Sequence, residues 1–213
     1  VAGFDLSLYD TQAGTVVGAN SEFLVASRLD NLVSCHTSLS ALVSHCTSSA
    51  LTHDDGVSMV ALFDHEEVGS GSATGAGSVL MRDALERVHG ELCDHSQHEL
   101  LHISRSRSFI ISADMAHAIH PNYSSKHDLH HAPVMNGGVV IKDNANQRYA
   151  TTGVTRLLAS EIAKFADVPT QSFMVRNDCP CGSTIGPIIS ANTGIRAVDL
   201  GMAQLSMHSI REV

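Results

Sequence analysis

Short apolar runs of strand length alternate along this chain with stretches of helical period, and this alternation constrains the fold most. Residues 57–63, 109–113, 139–142, 173–175 and 197–200 read as strands, and residues 3–9 alternate apolar with polar as a half-buried strand does. From Leu29 onward, Leu32, Cys35, Leu39, Leu42, Val43 and Cys46 recur at helical spacing. Residues 76–102, 150–165 and 185–192 carry the same period, and Gly194 is placed as a C-terminal stop. Residues 114–137 show little periodicity and read as loop. Strands interleaved with helices imply an α/β fold, with a mixed β-sheet sandwiched by helices. The 213 residues contain no repeat or linker-like tract, so one domain spanning 1–213 is expected.

Charge and cysteine usage exclude several functions. The formal net charge is −9, the opposite of the basic footprint that nucleic-acid binding requires. With 43% hydrophobic and 16% charged residues, the chain is too apolar to stay disordered. No apolar run approaches the roughly 18 residues of a membrane helix, so no membrane partner is expected. The cysteines at 35, 46, 93, 179 and 181 are odd in number and irregular in spacing, unlike a disulfide framework. Cys179 and Cys181 lack the second pair that a four-thiolate zinc site needs. Free thiols imply a reducing compartment, most simply the cytoplasm. The chain opens at Val1 without a signal pattern, so an interior or processed piece of a longer protein is expected.

In sheets of this class, function gathers where loops leave the strand ends. Asp30 lies between an apolar run and the first helix. Glu66 and Glu67 follow the run ending at Phe63, Asp114 follows residues 109–113, and His208 follows the last strand. Adjacent side chains of extended backbone point in opposite directions. One carboxylate of the Glu66–Glu67 pair can therefore ligate a metal while its neighbour holds a water. Three carboxylates and a histidine, with open positions, suit a divalent metal. Taken singly, each has a plainer reading: Asp30 as a helix cap, the glutamates as solvated loop, His208 as a surface residue.

The segments that hold these residues resemble the aspartyl aminopeptidase family of zinc metallopeptidases. The resemblance is carried by residues 27–32 (Ser-Arg-Leu-Asp-Asn-Leu), 63–70 (Phe-Asp-His-Glu-Glu-Val-Gly-Ser), 111–122 and 204–212. Residues 147–150 and 175–187 add to it, in order along nearly the whole chain. It implies a site with two zinc ions. Asp30 would bridge the metals, Glu67 and His208 would complete one, and Asp114 would help hold the other with a histidine from upstream. Glu66 would be the general base. The family's first histidine ligand and its inserted domain, which drives dimerisation and covers the site, have no counterpart in this sequence. The chain is therefore expected to be the C-terminal part of the catalytic domain.

The implied reaction removes an unblocked N-terminal Asp or Glu from peptides. An acidic side chain needs a local cation against the net charge of −9. Lys142, one of three lysines, ends the strand at 139–142 and is the candidate. Without the resemblance it would read as a surface lysine. Similarity also points to His117 and Tyr149 near the substrate. The alternatives are the same chemistry with Leu-type preference, or a non-catalytic truncated module for assembly or metal binding. The family implies a homo-oligomer, and a vacuolar setting is the alternative to the cytoplasm. His117, His120, His127, His130 and His131 read as a polar loop beside the site, not as a second metal centre. His95, His98 and His102 share a helical face. The glycine-rich run 69–77 lacks a P-loop lysine and reads as a tight turn after Glu67.

Overall fold

The computed structural model describes residues 3–93 and 98–213. Strand β1 (Thr15–Val17) pairs antiparallel with β2 (Phe23–Val25) across a turn where Gly18 adopts φ +98°. Helix α1 (Leu29–Thr47) follows, then α2 (Leu80–Leu92), α3 (His98–Arg107), β3 (Phe109–Ala113) and β4 (Ala116–His117). The remainder is β5 (Val139–Asp143), α4 (Gly153–Phe165), β6 (Thr170–Met174), α5 (Ile185–Thr193) and β7 (Arg196–Gln204). The main sheet has the order β3-β7-β5-β6, and β4 also pairs with β7. Strands β3 and β4 run parallel to β7, while β5 is parallel to β6 and antiparallel to β7. This is the mixed α/β sheet that the alternation implies.

Side-chain alternation along β5 assigns its two faces. Val140 packs with Ala116, Tyr149 and Phe173 on one face. Ile141 packs with Ala159 and Val198 on the other. Lys142 shares the face of Val140, and Asp143 shares that of Ile141, where it meets Arg156 of α4. Helix α4 starts from a capping box in which the Thr152 side chain accepts from the Thr155 N–H. Its buried residues are the small ones, Thr155 and Ala159, which let the helix approach the sheet closely. Its larger apolar residues Val154, Leu157 and Phe165 stay exposed. Helix α5 ends where Gly194 adopts φ +74° and its N–H bonds the Ser190 carbonyl, the stop expected at that position.

Gly201 is required by close approach. Between its pairings with β3 and β4, β7 is overlain by the backbone of Asp114, and a Cβ at Gly201 would collide with the Asp114 carbonyl. Gly201→Ala is therefore expected to destabilise the protein by about 1–3 kcal/mol, because backbone cannot swing aside as a flexible side chain can. Urea denaturation measures this as a lower midpoint with an unchanged slope.

Several expectations are corrected. Residues 3–9 form no strand, and Phe4, Leu6 and Leu8 are exposed. Residues 57–63 also form no strand, with Val57 and Leu62 exposed. Alternation reports that a segment can bury one face, but a strand exists only where another supplies hydrogen bonds, and neither segment has such a partner among the described residues. The helical pattern at 76–102 divides into α2 and α3 around residues outside the described range. His95 and the side chain of His98 lie outside it too. Strand β7 extends beyond residue 200 to Gln204, because β4 and β5 continue its ladder. The helix expected from 150 begins at Gly153, after the Thr152 cap. No helix among the described residues is long and apolar enough to cross a membrane.

Candidate active site

Four segments distant in sequence converge beside the sheet. At the first turn of α1, Arg28 is left-handed (φ 57°), and Asp30 and Asn31 are non-helical, so Asp30 leaves the helix path. The Asn31 amide donates to the Ala113 carbonyl at 2.8 Å, which ties this turn to the end of β3 just before Asp114. The Asp114 N–H bonds the Leu200 carbonyl, and its Oδ1 accepts from the Met115 N–H. Glu66 and Glu67 lie at the start of a turn that leads into the glycine-rich run expected to turn tightly after Glu67. There Gly75 and Gly77 close so tightly on the Ser70 carbonyl that neither has room for a Cβ. His208 sits in the turn after β7, closed by reciprocal backbone bonds between Leu205 and Val213.

The side chains meet as a crowded acidic cluster. His208 Nε2 lies 3.2 Å from Asp30 Oδ2 and 3.2 Å from Glu67 Oε1. Donor atoms of Asp30, Glu67 and His208 all lie within 4.8 Å of one another. The Asp30 side chain is only 6% exposed, whereas those of Glu67 and His208 are 60% and 61% exposed. Asp114 lies close enough to Asp30 to raise the proton affinity of its carboxyl. On its far side Asp114 Oδ2 accepts from Lys142 Nζ at 3.2 Å. Lys142 is thus buried, with 3% of its side chain exposed, and is not a surface residue at a strand end. Its Nζ lies 5.4 Å from the centre of the Tyr149 ring. Tyr149 is held because Asp199, fully buried on β7, accepts from the next residue's N–H (Ala150) at 2.6 Å and from the Thr184 hydroxyl at 2.6 Å.

Electrostatics follow from this crowding. Burial, then the charge of Asp114, then Glu67 and Glu212, push the Asp30 carboxyl up to about 8. Burial also raises Glu66, aided by Asp114 and Glu67 and opposed by Lys142 and His208. His117, at the end of β4, is held below the ordinary imidazole range by desolvation, then by His127, Lys142 and His208. Burial and then Cys181 raise the Tyr149 hydroxyl. Carboxylates packed this closely repel one another unless protons or a cation intervene. Two carboxylate oxygens and an imidazole nitrogen within one ion's reach are donors that zinc accepts. The residues present therefore fit a divalent metal. Among the described residues, the His120–His131 loop assembles no such donor group.

The residue-level reading missed Glu212. Its carboxylate accepts the Asp30 N–H at 2.8 Å and the His208 N–H at 2.7 Å, and it is only 2% exposed. The available signal was its position four residues beyond His208, at the end of the 204–212 segment.

The family model for aminopeptidase I zinc metalloprotease (M18) matches residues 1–213. A probable aspartyl aminopeptidase of Ricinus communis is 55% identical over 214 residues, covering all of this chain and 43% of that protein. An aspartyl aminopeptidase of Caenorhabditis elegans is 45% identical over 212 residues, covering all of this chain and 44% of that one. The chain thus spans less than half the length of these relatives. Among solved structures, a cryo-EM structure of an Ape4 and Nbr1 complex aligns with TM-score 0.92 and 48% identity, over 96% of this chain and 38% of that one. The mApe1 dodecamer of S. cerevisiae aligns with TM-score 0.85 and 34% identity, over 96% of this chain and 44% of that one. The chain belongs to the M18 family of aminopeptidase I zinc metalloproteases.

Proposed function

We propose that this chain carries the catalytic site of an aminopeptidase that removes unblocked Asp or Glu from peptide N-termini, with two zinc ions. The observation that carries the reading is the convergence of Asp30, Glu67 and His208 around one point, flanked by half-buried Glu66 and buried Lys142. Asp30, Glu67 and His208 would hold one zinc, and Asp30 and Asp114 would hold part of the other. Bound zinc would polarise the scissile carbonyl and ease loss of a proton from a nearby water. Glu66 takes that proton and returns it to the leaving amine, and its raised proton affinity suits both steps. His117, exposed at the end of β4 and with its proton affinity lowered, offers a hydrogen bond to the substrate or to its developing oxyanion.

Substrate preference rests on Lys142. An acidic N-terminal side chain entering a cluster of carboxylates is repelled unless a fixed cation meets it. Lys142 is buried there, between Asp114 and the Tyr149 ring. The names of the Ricinus and Caenorhabditis relatives support the same preference. Hydrolysis of Asp-, Glu- and Leu-anilides by the full-length protein, with and without a chelator, tests the reading. Chelator-sensitive cleavage favouring Asp and Glu is expected, and a Leu preference would contradict it. Lys142→Met is expected to raise KM for the Asp substrate at least about 10-fold and to change the Leu substrate little, the loss of one charge-assisted contact. A homo-oligomer is part of the proposal, supported by the dodecamer described for the S. cerevisiae structure. A cytoplasmic setting is also proposed, supported by five free cysteines.

A further inference from the structure

We infer that Glu212 is a positioning residue that sets the spacing between Asp30 and His208. This rests on the metal-site reading of those two residues. The metal-ligand roles fall on side chains, but Glu212 acts on their backbones. One carboxylate oxygen accepts the Asp30 N–H at 2.8 Å and the other accepts the His208 N–H at 2.7 Å. The residues it joins lie 182 and four positions away in sequence. The Glu212 backbone is itself anchored. Its N–H bonds the Ala26 carbonyl at 2.8 Å, and its carbonyl accepts the Ala26 N–H at 3.1 Å. One residue thus clasps the chain entering α1 at Ala26, Asp30 within the first turn of α1, and the turn after β7.

The position of Glu212 is otherwise costly. It is 2% exposed, and its carboxylate lies against the Asp30 backbone, next to the acidic cluster. Burying another carboxylate beside such a cluster is unfavourable unless hydrogen bonds hold it. Two amide donors do so here. Both N–H groups belong to irregular backbone: Asp30 is out of the helical conformation, and His208 is left-handed at φ 65°. A bidentate acceptor shared by two irregular turns fixes their separation, and with it the gap between Asp30 Oδ2 and His208 Nε2. Ligand groups held by such outer contacts bind metal more tightly than ligands that are merely nearby.

The test compares Glu212→Gln and Glu212→Ala with the parent in the full-length protein. Three quantities are read: zinc affinity by chelator competition, the visible spectrum of the cobalt-substituted protein, and amide exchange at Asp30 and His208 in the metal-free protein. Glu212→Gln preserves shape and one acceptor oxygen, so it keeps the fold if Glu212→Ala does not. The expected result for Glu212→Gln is roughly 10–100-fold weaker zinc binding, an altered cobalt spectrum and faster exchange at both amides. Faster exchange with unchanged zinc affinity and cobalt spectrum would make Glu212 merely structural and overturn the inference. Unchanged exchange would overturn the clasp itself. A parent in which His208→Ala leaves zinc binding intact would overturn the metal reading, and with it the purpose assigned to the clasp. The exchange rates separate that failure from a failure of the clasp.

Discussion

Replacing Glu66 with Gln in the full-length protein is expected to lower turnover by about 10²- to 10⁴-fold while zinc content stays unchanged. Gln keeps the volume and one oxygen of Glu but cannot accept and return a proton. Glu66 stands outside the trio whose donor atoms meet, and Glu67 is inside it, so the substitution leaves that trio whole. The half-buried setting of Glu66 raises its proton affinity above that of a free carboxylate. Because the change acts on proton transfer and not on substrate contact, kcat should fall with KM nearly constant. Retained turnover would remove Glu66 from its role. Loss of zinc along with turnover would show that it holds metal.

Asp30→Asn carries the second large effect, and its two consequences have opposite signs. Zinc affinity is expected to fall more than about 100-fold, because a neutral amide replaces a carboxylate at the centre of the cluster. The metal-free protein, however, is expected to become more stable. The Asp30 carboxyl is raised from 3.8 to about 8 in the fold. Between those values the native state binds more protons than the unfolded chain, so stability falls as pH rises through that window. Asn removes that term. The metal-free variant should therefore exceed the parent at pH 7 by at least about 1 kcal/mol, with a flatter pH profile, as read by thermal unfolding in chelator. Equal stability of the two metal-free proteins at pH 7 would show that the cluster is not self-repulsive.

Legibility from sequence differed by the range of the interaction involved. Strand β3 coincides with residues 109–113, because a compact apolar run between polar neighbours carries its own boundaries. Residues 57–63 carry the same signal and form no strand, since pairing depends on a neighbour that composition cannot reveal. The helical period of α4 was readable, but not which of its residues would be buried. Close packing on the sheet selected Thr155 and Ala159 over the larger Leu157 and Phe165. Asp30, Asp114 and His208 could be named because they sit near element ends, Glu67 because the run before it reads as a strand, and all four because they lie in segments resembling a known family. Their approach to one another is tertiary. So are the burial of Lys142, which its place at a strand end did not foretell, and the clasp made by Glu212, which accepts backbone N–H groups and leaves no periodic trace.

The central claim is that Asp30, Glu67 and His208, with Asp114 beside them, form a zinc centre. Anomalous diffraction at the zinc absorption edge from crystals of the full-length protein tests it most directly. The account predicts a strong peak about 2.0–2.2 Å from a carboxylate oxygen of Asp30, one of Glu67 and a ring nitrogen of His208, and a second peak reached by Asp30 and Asp114. Zinc found only among the histidines of residues 117–131, with no peak beside Asp30, would contradict it.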